Sequence, residues 1–208
     1  MTDDLGLFPL DLVLLPTERI PLHIFEERYK ELIGECLREG RDFGLVRSSD
    51  AGMAEIGTRA TVTEVLQELP DGRMNIVVEG GDRFRIVDLT DGRAFQTAEV
   101  EPVDDDAHDV DPDDVERALQ VFRRLVELTA TEIDEPDAGS PLLAFELAAR
   151  VDFGTDLKQE LLELTSSQER IERLTELLER AADAIALERE VTERASRNGK
   201  VTPLRPDS

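Results

Sequence analysis

Tryptophan is absent from this chain of 208 residues, aromatic residues make up only 4% of it, and there is one cysteine, Cys36. With so few rings, the core has to be packed from Leu, Val and Ile. A lone cysteine excludes an intramolecular disulfide and a CxxC zinc site, so a reducing, cytoplasmic setting is the expectation. No stretch approaches the roughly 18 consecutive apolar residues that read as a membrane span, and the opening Thr2, Asp3 and Asp4 lack the basic and apolar regions of a signal peptide. Lysine occurs only at Lys30, Lys158 and Lys200. Basic residues are outnumbered, with 24 Lys and Arg against 48 Asp and Glu, for a net charge of −24 shared by both halves. Such a field repels phosphate backbones and anionic lipid, so neither nucleic acid nor membrane is expected as a partner.

Chemical motifs are missing as well. There is no GxxxxGK[ST] phosphate loop, no HExxH and no GxSxG, so the minimal parts of nucleotide, zinc and nucleophilic hydrolysis are not in place. No cofactor, metal or catalytic residue is therefore expected. His23 lies in an apolar, proline-flanked stretch and His108 in an acidic one; His23 reads as a structural residue hydrogen-bonded to backbone.

What is present divides the chain in two. Pro9, Pro16 and Pro21 confine the first strands to short or edge segments. Phe25 to Gly40 reads as a helix, with Tyr29, Leu32, Ile33, Cys36 and Leu37 on one buried stripe and Gly40 as its stop. Strand signals follow over Phe43–Val46, Ala60–Leu69, Arg73–Glu79, Arg83–Leu89 and Phe95–Val103. Asp71-Gly72 predicts a type I′ hairpin turn, and Gly80-Gly81 and Asp91-Gly92 read as further breaks in an antiparallel meander. Met74, Ile76 and Val78 should face inward, with Phe84 and Ile86 opposite Arg83, Arg85 and Val87, a pattern that suits a sheet closing toward a barrel.

The acidic run from Glu101 to Glu116 reads as a linker, placing a β domain at 1–104 and a helical domain at 105–199. It lacks the spaced ligands of a calcium loop. Asp111-Pro112 is a helix start, since Asp caps free amides and Pro is preorganised for the first turn. Its stripe is Val115, Leu119, Phe122, Leu125 and Val126. A second helix is expected from Ser140-Pro141, with Phe145, Ala148 and Ala149, and a short third from about Asp156 to Leu164. Ser166 and Glu169 then form a capping-box pattern opening a last helix whose stripe is Ile171, Leu174, Leu178, Ala181 and Ile185. That helix reaches Asn198 and Gly199, roughly 45 Å at 1.5 Å per residue, and its last turns carry only Leu187 and Val191 among charges. Residues 200–208, with Pro203 and Pro206, are expected to be a disordered tail.

Four blocks in fixed order carry a resemblance: FPLDLVLLP (8–16), IPLHIFEERY (20–29), GTRA (57–60) and LPDGRMNIVVEGGDRFRI (69–86). Together they resemble the N-terminal substrate-binding domain of the Lon family of ATP-dependent proteases, and LLAFELAARV and KQELLEL look similar to that region's helical part. The resemblance implies an α+β fold, a PUA-like antiparallel β-barrel with an inserted helix followed by a C-terminal helical bundle. It also implies a non-catalytic protein that contacts unfolded or exposed polypeptide segments, as an adaptor or regulator of protein quality control beside a protease or chaperone. The family's ATPase domain and its Ser–Lys protease domain have no counterpart here, the form expected of a stand-alone domain. Gly81 departs from the family, which more often has a larger residue there. The matching positions, among them Pro9, Pro16, Phe25, Gly57, Gly72, Gly80, Arg83 and Phe84, look architectural.

For a contact surface, the arginines of the β half stand out: Arg59, Arg73, Arg83, Arg85 and Arg93. One reading pairs them with neighbouring acids across strands; the other has them grip a partner's carboxylate or backbone carbonyls beside an apolar patch. Arg59, Arg83, Arg85 and Phe95 are the residues named for polypeptide binding. Two other functions stay open, an assembly module that dimerises through the last helix and a sensor that holds a small ligand in the barrel.

Overall fold

The computed structural model describes residues 3–50, 52–106 and 110–198, so His108, the end of the last helix at Gly199 and the tail at 200–208 lie outside the described residues. Within them the order is β1 (Asp3–Leu10), β2 (Arg19–Ile24), α1 (Glu27–Glu39), β3 (Phe43–Ser49), β4 (Gly52–Met53), β5 (Ile56–Glu68), β6 (Met74–Thr90) and β7 (Thr97–Pro102). The helices α2 (Pro112–Thr129), α3 (Leu143–Ala148), α4 (Gly154–Glu163) and α5 (Ser167–Asn198) follow. The strands form one large, mostly antiparallel sheet ordered β1-β7-β6-β5-β3-β4, with β2 on β6. One pairing departs from the expected meander: β1 runs parallel to β3 from Leu7↔Gly44 to Leu10↔Arg47. Parallel neighbours need a long crossover, which β2 and α1 supply.

β6 corrects a second expectation. It passes through Gly80-Gly81 without a break, as a strand of 17 residues paired with β2 and β5 early and with β5 and β7 late. Gly80 serves close approach rather than a turn. A Cβ there would lie 2.1 Å from the Leu15 carbonyl oxygen, while Gly80 N–H donates to Glu18 O and its own carbonyl accepts from Thr17 N–H.

The hairpin at Asp71-Gly72 exists, but not as a type I′ turn. Gly72 N–H donates to Leu69 O, and only Gly72 has positive φ, at 81°. That is the type I turn followed by a left-handed glycine, and Pro70 supplies the φ its first central position requires.

Elsewhere local signals match the elements. Gly40 closes α1 at φ 63°, its N–H donating to Cys36 O, and Tyr29, Leu32, Ile33 and Cys36 are buried, whereas Leu37 sits on the exposed rim. Asp111 caps α2 by accepting from Asp113 N–H at 2.9 Å. Ser166 Oγ accepts from Glu169 N–H at the start of α5. The helix expected from Ser140 begins only at Leu143 and spans six residues, since the Ser140 hydroxyl bonds Leu142 N–H and the Glu146 carboxylate in a turn. α5 spans 32 residues, ~48 Å, and packs on α2, with Arg117–Glu179 and Arg124–Asp183 pairs along the seam.

Three apolar clusters fill the interior. One sits between α1 and the β2–β6–β5 ribbon, around Phe8, Tyr29, Phe43, Ile76 and Val78. A second gathers Leu5, Leu7, Val46, Phe84 and Val100. The third belongs to the helices but takes in Val13, Leu15 and Ile56 from the strand half, so both halves share a core. Each such buried Leu, Ile or Phe contributes ~1.5–3 kcal/mol.

Polar contacts close that junction. Arg83 on β6 donates to the carbonyls of Leu162 and Leu164 at 2.8 and 2.7 Å and pairs with Asp105. Arg170 on α5 is only 1% exposed; it also pairs with Asp105 and covers the Phe145 ring at 4.1 Å. Ser167 Oγ donates to the same carboxylate. Burial pushes the Asp105 carboxyl up, but the hydrogen bond and charge of Arg170, the charge of Arg83 and the Ser167 hydroxyl outweigh it and hold it below the usual carboxylate range.

A carboxyl depressed in the folded state adds stability that is present above its unfolded pKa and lost as pH falls through its folded one. Asp105→Asn removes that contribution and leaves two buried guanidiniums without their counter-charge. We expect a loss of about 3–5 kcal/mol in urea unfolding near pH 7, shrinking in acid where the parent's Asp105 is itself protonated. A loss that did not change between neutral pH and strong acid would contradict this account.

Candidate polypeptide-binding surface

The four residues named from the sequence do not form one patch. Arg83 is 5% exposed and spent on the helices, so it belongs to no contact surface: the strand face here is covered by the end of α4 and the start of α5. Phe95 is buried too, beneath the Arg93 guanidinium at 4.5 Å. Arg85, two residues beyond Arg83 on the same strand, is half-exposed and faces Glu55 and Glu101. Arg73 turns back onto Asp71 at the hairpin tip.

Arg59 and Phe95 do meet, together with Arg93, in a cleft of about 460 Å³ between α1 and the sheet, which Leu32, Cys36 and Gly6 also line. Its charges cancel in number, Arg41, Arg59 and Arg93 against Asp4, Glu35 and Asp42. Arg93 is held by Glu35, and Asp42 accepts from the Thr61 hydroxyl. Burial, then the nearby Glu35 and Asp42 carboxylates, push the Cys36 thiol up to about 11. Its thiolate is therefore scarce at neutral pH, and this cysteine is a packing residue of α1.

A different surface went unnoticed in the sequence. The hairpin arm of β5 and β6, with β2 alongside, presents a shallow groove lined by Pro21, Leu22, His23, Leu66, Gln67 and Asn75. Leu66 is 53% exposed, Val65 41%, and Phe25 at the end of β2 58%. The polar residues form a row across the three strands. His23 Nδ1 and Asn75 Oδ1 lie 2.6 Å apart, and Asn75 Nδ2 donates to Gln67 Oε1 at 3.1 Å. His23 thus bonds a side chain on the next strand rather than backbone, and its ring stacks on Phe25. The available signal was Val65-Leu66, adjacent apolar residues where strict alternation demands one polar. A bulge between Val65 and Gln67 accounts for both being exposed. Among the described residues no group of His, Cys, Asp and Glu is placed to hold a metal, and no helix is long and apolar enough to cross a membrane.

A large, mostly antiparallel sheet tied to helices through a shared core defines a mixed α and β domain, with Leu66 and Phe25 left in water on its β2–β6–β5 side. The chain belongs to the ATP-dependent protease La (LON) substrate-binding domain family, whose model matches residues 4–180. It is 29% identical over 196 residues to Lon protease of Anaeromyxobacter dehalogenans, covering 86% of this chain and 23% of that protein. To Lon protease of Escherichia coli K12 it is 26% identical over 214 residues, covering 93% and 27%. The chain thus spans about a quarter of the length of these curated relatives. Among solved structures, the Lon N-terminal domain protein from Xanthomonas campestris matches with a TM-score of 0.67 at 26% identity, covering 83% of this chain and 96% of that one. The N-terminal domain of Mycobacterium avium complex Lon protease gives 0.64 at 19%, covering 85% and 98%, and shows the same fold.

The Cys36 environment is directly testable. Alkylation of the folded protein by iodoacetamide at pH 8, followed by mass spectrometry, should run about a hundredfold slower than for free cysteine and become fast in urea. Rapid labelling without denaturant would contradict the burial described.

Proposed function

We propose that this chain is a non-catalytic polypeptide-binding protein that holds exposed apolar segments of other proteins against the outer face of the β2–β6–β5 ribbon. The match of residues 4–180 to the LON substrate-binding domain family carries this reading. The exposed Leu66 in the groove and the exposed Phe25 stacked on the His23 ring that lines it support it, because apolar side chains left in water gain free energy when a partner covers them. Arg59 contributes from the cleft on the other side of β5, where guanidiniums can meet backbone carbonyls, and Arg85 lies farther along the sheet. The net charge of −24 favours unfolded protein over nucleic acid or anionic lipid. Partners of this kind fit an adaptor or regulator working beside a protease or chaperone. The sheet is best regarded as a PUA-like barrel, since β1 and β3 join its two ends, and the helices as a second lobe that braces it.

Leu66→Asp should weaken binding of a heat-unfolded model protein about tenfold in fluorescence anisotropy, ~1.4 kcal/mol, with an unchanged circular dichroism spectrum, whereas Arg85→Ala should leave it within about twofold. If the parent protein binds no apolar peptide at micromolar concentration, the proposal is wrong.

A second reading has one observation behind it: Leu187 and Val191 on the far end of α5 are 62% and 57% exposed. Self-association through that end predicts a mass in sedimentation equilibrium that rises with concentration and stays monomeric once everything after Ala184 is removed. A parent that is monomeric at all concentrations excludes it.

A further inference from the structure

Resting on the polypeptide-binding reading above, we propose that the outer edge of β5 from Val62 to Glu68 takes an extended polypeptide segment as an added strand, with preference for segments that alternate apolar residues with Lys or Arg. β5 pairs with β3 only over Thr58, Arg59 and Ala60, whereas its pairing with β6 continues to Glu68. Beyond Thr61, whose hydroxyl reaches back to Asp42, the second edge of β5 therefore has no strand beside it among the described residues. The stretch is open along its length, with Thr63 to Glu68 exposed and Val62 half-buried. An unpaired edge presents a row of N–H and C=O groups whose only partner is water, and an incoming strand satisfies them.

Sequence on this edge favours such pairing. TVTEVLQE, residues 61–68, is rich in β-branched residues and contains neither Pro nor Lys, the usual guards of an exposed edge. β2, the outer strand on the far side of the same ribbon, is guarded by Pro21, which has no N–H to offer. Bulges at Val62/Glu64 and Val65/Gln67 kink β5, so the edge suits a short segment rather than a long flat stack. They also leave Val65 and Leu66 side by side for the guest's apolar side chains.

The ribbon is held ready. Lys30 Nζ on α1 donates to Asp71 O at the hairpin tip, 2.9 Å, while Arg19 reaches the Thr63 hydroxyl and Asn75 bonds Gln67 across the strands. An edge fixed in advance loses less conformational freedom on binding.

Charge selects the occupant. Glu64 and Glu68 are the charged residues of the free stretch, and neither forms an ion pair with a described residue. A second copy of this chain would bring the same two carboxylates and another −24 against them. A guest strand with Lys or Arg between its apolar residues meets opposite charge on the same edge.

The test uses the full chain and a fluorescein-labelled decapeptide alternating Val and Lys, read by anisotropy. Three comparisons are made: the same peptide N-methylated at every second amide, the peptide with Glu replacing Lys, and the parent peptide against a Glu64→Lys, Glu68→Lys variant with an unchanged melting temperature. Strand addition predicts that each comparison weakens binding by about tenfold or more, N-methylation because it removes edge hydrogen bonds while leaving every side chain in place. Equal binding of the N-methylated and parent peptides would overturn strand addition while leaving apolar capture by the ribbon face intact. Failure to bind the decapeptide, alongside retained binding of a heat-unfolded protein, would also overturn it. So would self-association of the free chain that the double variant abolishes, since that would make a second copy the occupant.

Discussion

One carboxylate, Asp105, holds this molecule together. It sits between Arg83 from the sheet and Arg170 from the last helix, and Arg83 extends the link to the carbonyls at the end of α4. These two guanidiniums are too deeply placed to be hydrated, so they need the charge and the carbonyl oxygens in order to be buried at all. The arrangement demands a single relative position of β6, the connecting segment and α5. The apolar junction of Val13, Leu15 and Ile56 with the helices packs at the same interface.

Bracing one side of the sheet leaves the other side free. The half of β6 near Arg83 is covered, whereas the half near Asn75 extends into the hairpin arm, where β5 loses β3 as a neighbour and side chains meet water on the outer face. The binding surface proposed here follows from that division. Lys30 on α1 ties the hairpin tip to the body, adding to the apolar cluster that already packs the inner face of the ribbon against α1.

Much of the fold was legible because its signals are local. Asp111-Pro112, Ser166 with Glu169 and Gly40 mark helix ends through backbone groups a few residues away, and the structure places caps at each. Alternation at Met74, Ile76 and Val78 gave the inner face of β6 correctly. Gly80-Gly81 misled because a glycine that admits a neighbouring carbonyl looks, in sequence, like a glycine that turns the chain. Asp71-Gly72 alone points to a type I′ turn, whereas Pro70 at the first central position fixes φ for type I and leaves positive φ to Gly72.

The contact surface was far less legible. Arg83 and Arg85 lie two residues apart on the same face of one strand, with nothing in their neighbourhood to separate them, yet one is buried against helices and the other is half in solvent. Sequence by itself determined where helices begin and end, which strand faces are apolar and that the chain is strongly acidic, since each depends on neighbours along the backbone or on a simple sum of charges. Only the tertiary structure decided which arginines are spent inside, where β3 stops accompanying β5 and which apolar residues stay in water. Those outcomes depend on which distant segment lies across a given strand, and burial is set by that neighbour in space rather than by the residue's own chemistry.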